Sequence, residues 1–493
     1  MPPDRIASGR PQAAELRRPL APQTVKPPLG QRLRTLRSRE HLSALFARLF
    51  PSRIDRIVLA LVVGVIVAGA VLRVEVIGTN NRISTDEEAF VINANRILHD
   101  NPIATFKWAP GTSVMFAAAS ILRGYDFVAL AKDSHGVAQY SQLLVEVVTM
   151  AALAIVAWLM AGPFAALLAV TLMATYDPLI DITRTYLSEP LGGLAFVAMI
   201  ATICWARRRS MHALVLAGIV AGLAGLVRED FSIAVAVIMV GLLVDGRRRP
   251  GLALRRTLVY GLAALITVTP YVIYASLREH RFTPIVSAGP DALFLGTYLP
   301  GGGNQFFDAA RLNKQVCAYF HGNRHYCDLP PGDTYGVFQL IKAEHPGDSE
   351  PAAAQAAAFH NLDVYMLGDP LKFLHMLWKK AWNMWSLPWS GGNAAGSGGL
   401  VHTTSVLQHQ IYAAIAWIGI ALGLITLRRR WAFVVPVLAL LACALLNTFF
   451  AITPRDNVRF MPFVFLFGAV GLVATLRWLF ERVRHRAPQA LAA

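Results

Sequence analysis

Charge is what this chain is short of. Only 15% of its 493 residues are Asp, Glu, Lys or Arg, where a soluble domain carries about 25%. Apolar side chains fill the deficit, at 55% of the total, and mean hydropathy is +0.46. That balance excludes a soluble enzyme and predicts a polytopic membrane protein. Cysteine is scarce too, with four residues in all, too few for a disulfide scaffold. Among the thirteen histidines, His402, His409 and His485 have no partner at metal-ligand spacing, so zinc chemistry is not expected. Walker A, Gly-x-Ser-x-Gly and His-Glu-x-x-His motifs are absent, which removes support from ATP-driven transport and the common hydrolase chemistries. No repeat of solenoid period is present.

What charge there is has a sign and a position. The formal net charge is +16, and residues 1–56 supply half of it, with twelve Lys/Arg against four Asp/Glu. The rest sits in short clusters beside hydrophobic runs: Arg207 to Arg209, Arg247 to Arg249 with Arg255 and Arg256, Arg428 to Arg430, and Arg482 to Arg486. This is the pattern of positive-inside anchoring, and it argues against nucleic-acid binding. The first stretch, rich in Pro, Arg and Ala, lacks an apolar core until Ile57 and does not read as a cleaved signal peptide. It is expected to be a disordered basic tail over 1–56 that keeps the N-terminus cytoplasmic and touches anionic lipid.

Ten helical spans are expected, at 57–75, 138–160, 163–176, 190–206, 212–227, 231–245, 253–276, 411–427, 431–451 and 459–479. Working back from the arginine clusters, 190–206 runs inward, so 123–136 and 177–189 lie outside. Segment 110–122, with thirteen residues, then cannot cross, and its length suits an interfacial or re-entrant helix. Eleven spans is the alternative. A transmembrane module over 57–276, containing a first periplasmic loop at 76–137, is followed by a loop domain at 277–405. The chain closes with further spans over 406–480 and a cytoplasmic tail at 481–493.

The loop domain has nearly balanced charge, nine basic against ten acidic residues, as an exported segment should. Cys317 and Cys327 fall in it and could pair in an oxidising compartment or remain as thiols. Asp369-Pro370 is expected to open an amphipathic helix to about Leu387. Trp378, Trp382, Trp385 and Trp389 recur there near helical spacing, either at headgroup level or against the domain's own core. The Gly-rich stretch 391–399 has no phosphate-loop pattern.

On this sidedness four polar clusters share the outer face: Asp86-Glu87-Glu88, the stretch Asp177 to Glu189, Arg228-Glu229-Asp230, and Arg455-Asp456-Asn457-Val458-Arg459. Ionisable groups at membrane depth are functional candidates. Asp86 and Glu87 are suited to take a proton from an acceptor hydroxyl or amine, or to hold a divalent cation such as Mg or Mn; the alternative is a solvated helix start, with Thr85 and Glu88 as a capping box. Glu189 precedes Pro190 at a helix entry, where a carboxylate is favoured electrostatically in any case. Asp181 is a weaker candidate of the same kind, and Arg184 lies beside it. Arg228 ends a nearly pure apolar helix; it could hold a lipid phosphate bidentately or pair with Glu229 or Asp230. Arg455 and Arg459 pose the same choice.

The order of these pieces resembles the GT-C superfamily of membrane glycosyltransferases, in the branch of protein O-mannosyltransferases and lipid A aminoarabinose transferases. Thr85-Asp86-Glu87-Glu88-Ala89-Phe90 matches the acidic motif after the first span. Trp108-Ala109-Pro110-Gly111 matches a proline-bearing lead into a short apolar helix, and Ser188-Glu189-Pro190 a later acid at a helix start. Gly222-Leu223-Ala224-Gly225-Leu226-Val227-Arg228-Glu229 matches a Gly-Leu-x-x-Leu-x-Arg motif. The likeness covers about 57–280 in motif order. It implies an all-α polytopic GT-C-like fold in a bacterial inner membrane, a sugar carried on a polyprenyl phosphate, and inverting transfer on the periplasmic face to a glycan, lipid or protein of the cell envelope. By carry-over Asp86 is the base, Glu189 a second acid in the cavity, and Arg228 a contact to the donor phosphate. Asp-Glu-Glu replaces a clean Asp-x-Asp, which leaves metal dependence open. The Lys-Pro-Pro triplet of the aminoarabinose branch is missing, so lipid A is not implied as acceptor.

Two other classes accommodate the same residues. A transporter or flippase of a lipid-linked glycan would use the intramembrane charges as a path, but predicts pseudo-symmetric halves with broken helices. A non-catalytic scaffold of the envelope accounts for the loop domain and not for the clustered carboxylates.

Overall fold

The computed structural model describes residues 52–79, 83–126, 128, 136–329, 334–389 and 400–490. Nearly all of the basic stretch expected over 1–56, and all of the Gly-rich stretch 391–399, lie outside the described residues. Among the described residues every regular element is helical. In chain order these are α1 (Arg53–Val74), α2 (Thr85–Leu98), α3 (Gly111–Arg123), α4 (Val137–Ala161), α5 (Pro163–Thr175) and α6 (Asp177–Asp181). After these come α7 (Glu189–Ala206), α8 (Met211–Val227), α9 (Phe231–Asp245) and α10 (Pro250–Glu279). The segment between the two groups of apolar helices holds α11 (Gly289–Thr297), α12 (Gln305–Tyr319), α13 (Arg324–Cys327), α14 (Tyr335–Glu344), α15 (Glu350–Asn361) and α16 (Pro370–Ser386). The last four are α17 (Leu400–Thr426), α18 (Trp431–Asn447), α19 (Arg455–Val458) and α20 (Met461–Ala490).

Each of the ten segments read as a span is a helix. Six of them (α1, α4, α7, α10, α17 and α20) are long and apolar enough to cross a membrane by length and composition, and α8, α9 and α18 are shorter apolar helices. The tenth, α5, forms a bent pair with the segment that follows it, at 61°. Segment 110–122 is the thirteen-residue α3, which packs on α2 through Phe90, Val91, Phe116 and Ala117. Within the expected cytoplasmic tail at 481–493, residues 481–490 are helical and continuous with α20.

The centre of the bundle is α20 and the turn before it. Phe460, Met461, Phe463, Val464, Phe465, Leu466 and Phe467 are all fully buried, so every face of this stretch meets protein, as expected for a helix that is hydrophobic all round. Against it α17 approaches through Gly419 and Gly423, facing Gly468 and Gly471; a side chain on any of these would meet the opposing backbone. Glycines three and four apart share one helix face, and the close approach replaces hydrophobic driving force, which lipid does not provide.

The break after α5 has a physical cause. Pro178 lies in the first turn of α6 and Tyr176 is extended, so the ladder cannot continue and backbone groups are left open. The carboxamide of Gln408 meets both sides: its Nε2 donates to Thr175 O (2.7 Å) and its Oε1 accepts from Asp177 N (2.9 Å). Arg73 covers the carbonyls of Met173 and Ala174 at 3.1 Å each and is paired with Glu146 at 3.4 Å.

Between the apolar groups, α11, α12, α14 and α15 enclose a core of their own around Phe294, Val316, Val337, Phe338 and Ala354, and a Cys317–Cys327 disulfide joins α12 to α13. Helix α16 begins as its sequence predicts, with Asp369 accepting from Lys372 N (3.3 Å) and Pro370 in the first turn. Its tryptophans divide between the two readings. Trp378 and Trp382 stack on each other and stay 67% and 62% exposed, whereas Trp385 and Trp389 pack into the main core. Lys380, between these tryptophans, turns inward and donates to Gly296 O (2.7 Å) and Phe450 O (2.8 Å). The buried ammonium is satisfied there by one carbonyl at the end of α11, where a cation is favoured, and by one in the segment after α18.

Candidate functional site

Five helix ends meet in one place, and the sequence dictates each. Ser84 is extended and caps α2, forming a capping box with Glu87; the box expected for Thr85 and Glu88 is shifted by one residue, because Ser84 rather than Thr85 lies outside the helix. This fixes the first turn of α2 and aims Asp86 sideways. Glu189 and Pro190 open α7. Arg228 is the extended residue that ends α8, Asp230 precedes α9, and Arg455 and Arg459 bracket the short α19. Carboxylates at helix starts and a guanidinium at a helix end both follow the helix dipole.

These side chains form a continuous chain of alternating sign. Asp86 Oδ2 accepts from Arg455 Nη2 at 2.8 Å, and Arg455 Nε lies 3.1 Å from Glu189 Oε1. The same oxygen is 3.6 Å from Arg228 Nη1, which donates to Ser188 Oγ at 2.9 Å. Arg228 Nε lies 3.6 Å from Asp230 Oδ1, and Asp230 Oδ2 accepts from Arg459 Nη2 (2.8 Å) and Asn447 Nδ2 (3.1 Å). Arg459 Nη1 closes the series on Asp456 Oδ1 at 2.7 Å. Gly192 makes room for it: a Cβ there would stand 3.1 Å from Arg228 Cδ.

Exposure along the chain is graded. Asp86 and Arg455 keep 25% and 29% of their side-chain surface, while Glu189 and Arg459 keep 1% each. One end is open and the other is built into the core. Burial works against every one of these charges. It would lower the Arg455 guanidinium, but Glu189 and Asp86 outweigh it and hold Arg455 above its usual range. Burial would likewise raise Asp230 and Asp456, yet Arg459 dominates and holds both below the usual carboxylate range.

The predicted site residues separate on this evidence. Asp86, Glu189, Arg228 and Arg455 are brought together. Arg459 is in the chain but faces Asp230, Asp456 and Asn447, with no open side for a substrate. Glu229 is exposed at the edge. Arg184 is paired with Asp181, its guanidinium 2.7 Å away. Glu87, read as a catalytic acid, is 4% exposed and occupied by the backbone: Oε2 accepts from Ser84 N (2.8 Å) and Oγ (2.9 Å), and Oε1 from Tyr186 N (3.0 Å). With Glu87 so engaged and Asp86 facing a guanidinium, the pair does not fit a divalent cation. Among the described residues no three His, Cys, Asp or Glu side chains converge as a metal set.

Sequence reasoning passed over the residues that hold this arrangement. Gln139 and Gln142, buried on one face of α4, donate to the carbonyls of Arg184 and Leu187, and with Glu87 on Tyr186 they fix the segment leading into Glu189. Asn447, also passed over, joins Asp230 and Asp456 of the named polar clusters in anchoring Arg459. The available signal was polar side chains inside or beside apolar runs. A groove of about 470 Å³ lined by Trp205, Arg209, Ser210 and His212 lies at the opposite ends of α7 and α8, about 24 Å of helix from the charged chain, and is separate from it.

No family model and no curated protein matches the sequence. Solved structures do. The oligosaccharyltransferase of Archaeoglobus fulgidus in its apo form aligns with a TM-score of 0.50 at 14% identity, over 87% of this chain and 52% of that one. The same enzyme in complex with Zn and sulfate gives 0.46 and 16%, over 87% and 51%. ArnT from Cupriavidus metallidurans bound to undecaprenyl phosphate gives 0.37 and 13%, over 84% and 78%. The chain spans about half the length of the oligosaccharyltransferase. The chain shares the all-helical fold of the oligosaccharyltransferase in its apo form, and six of its described helices are long and apolar enough to cross a membrane.

Proposed function

We propose that the chain is an integral membrane glycosyltransferase that moves a sugar from a polyprenyl-phosphate donor to a cell-envelope acceptor on the periplasmic face, with inversion. The observation that carries this reading is the open Asp86–Arg455 end of an otherwise buried charged chain. It offers an exposed carboxylate and an exposed guanidinium side by side, which is what displacement of a phosphate by a hydroxyl requires. Asp86 takes the acceptor proton as the acceptor oxygen attacks the anomeric carbon. The bond from that carbon to the phosphate oxygen breaks, and its electron pair leaves with the phosphate. Arg455, backed by Arg228, stabilises the charge that develops there. Glu189, 1% exposed beneath both guanidiniums, positions them and does not reach substrate. No nucleotide is needed at the site, and the lipid chain lies among the helices, whose apolar outer faces are exposed at Leu144, Leu159 and Leu265.

Transfer of labelled sugar from polyprenyl-phosphate donors, in membranes with matched amounts of wild type and Asp86→Asn, tests the assignment. Transfer by the wild type and a loss of at least about a hundredfold in the variant are expected for a general base. Full activity in the variant removes Asp86 from the chemistry, and no transfer by the wild type from any donor rejects the reaction class.

A further inference from the structure

Arg455 lies between two carboxylates from different helices, and only one of them can be replaced. Glu189 is 1% exposed on its far side, enclosed by α7 and the end of α8. Asp86 is 25% exposed, on the first turn of α2, and meets Arg455 where Arg455 itself is 29% exposed. Charge adds a second constraint. The chain holds four carboxylates, Asp86, Glu189, Asp230 and Asp456, against three guanidiniums, Arg228, Arg455 and Arg459, with Glu229 exposed at its edge. No positive charge is left over for an incoming phosphate. At the open end an anion therefore competes with Asp86 for Arg455, whereas Asp230 and Asp456 are locked to the buried Arg459.

We propose that Asp86 and Arg455 form a resting pair which the donor opens: the donor's phosphate takes the outer edge of the Arg455 guanidinium, and Asp86 is released to the acceptor. This rests on the donor class proposed above. The same planar fork that binds a carboxylate binds phosphate oxygens in a bidentate manner, so the exchange conserves the hydrogen bonds of Arg455, while Glu189 keeps its guanidinium in place. In the resting state Asp86 Oδ2 is committed to Arg455, which leaves only Oδ1 to accept from a hydroxyl. Donor binding therefore frees the second oxygen of the base, and a bound donor favours engagement of the acceptor.

Affinity of the purified full-length chain for undecaprenyl monophosphate tests the exchange. Asp86→Asn, which has lost the competing charge, is expected to bind at least about tenfold more tightly than wild type while losing transfer. Glu88→Gln removes an exposed charge from the same helical turn and is expected to leave affinity unchanged. In an Arg455→Met background the gain from Asp86→Asn is expected to shrink below twofold, since the guanidinium for which Asp86 and phosphate compete is gone. Unchanged affinity in Asp86→Asn overturns the exchange, as does an equal gain in Glu88→Gln, which would mean a general field effect; both leave the donor class standing. Absence of binding in wild type and every variant overturns the donor class itself and the exchange with it.

Discussion

Arg73 and Glu146 form an ion pair at 3.4 Å between α1 and α4, with 0% and 1% of their side chains exposed. It is the price of the broken α5–α6 segment: the guanidinium is there to satisfy Met173 O, Ala174 O and Gly69 O, and the carboxylate is there to neutralise it. Removing one partner strands a buried charge, which costs about 3–5 kcal/mol. Glu146→Ala is expected to lower the unfolding midpoint in detergent sharply. Arg73→Met with Glu146→Met is expected to recover only part of the loss, because the carbonyls stay unpaired. Full recovery would show that the pair, and not the helix break, sets the cost.

Asp86 and Glu87 are neighbours with opposite duties, and conservative variants separate them. Glutamine serves at the third helical position of a capping box as glutamate does. Glu87→Gln is therefore expected to lose about 1 kcal/mol of stability and to keep sugar transfer within about fivefold of wild type. A loss in Glu87→Gln matching the hundredfold expected for Asp86→Asn would make Glu87 a participant in the chemistry.

Asp291, near the start of α11, has a buried oxygen with no hydrogen-bond partner. Burial pushes its carboxyl up to about 6, only partly offset by Lys107. The folded protein thus holds this proton to higher pH than the unfolded chain does, and stability falls as pH rises from about 4 through about 6. Asp291→Asn is expected to raise the melting temperature at pH 7 by about 2–4 °C and to make no difference below about pH 4. A gain that is the same at both pH values would exclude ionisation as the cause.

The Cys317–Cys327 bridge closes a loop with a sequence separation of ten, for which the chain-entropy relation gives about 2–3 kcal/mol. Cys317→Ser with Cys327→Ser is expected to speed proteolysis within α12 to α14 while the apolar helices stay intact. Equal cleavage rates would show that the core around Val316 and Phe338 suffices alone.

The ten apolar helices were legible because lipid enforces long uninterrupted apolar runs, and every one of those runs is helical. The capping of α2 and α16 was legible to within a residue, since caps are local. The tryptophans of α16 were not: their spacing allowed two faces, and only packing against Trp417 and Phe460 assigned Trp385 to the core and left Trp378 outside. Asp86, Glu189, Arg228 and Arg455 were visible as ionisable residues at the ends of apolar segments. Which oxygen meets which nitrogen was not, because the partners lie up to 369 residues apart.

By itself the sequence determined an all-helical membrane chain, the ends of its helices, and a set of charged groups at those ends, because these follow from periodicity, capping and the exclusion of charge from lipid. Tertiary structure decided which of those charges are spent on the fold and which remain open. Glu87 went to the backbone of Tyr186, Arg459 to Asp230 and Asp456, and Arg184 to Asp181, leaving Asp86 and Arg455 at the surface of the chain. A buried charge must find a partner wherever packing brings one within reach, and that proximity exists only once the helices are assembled.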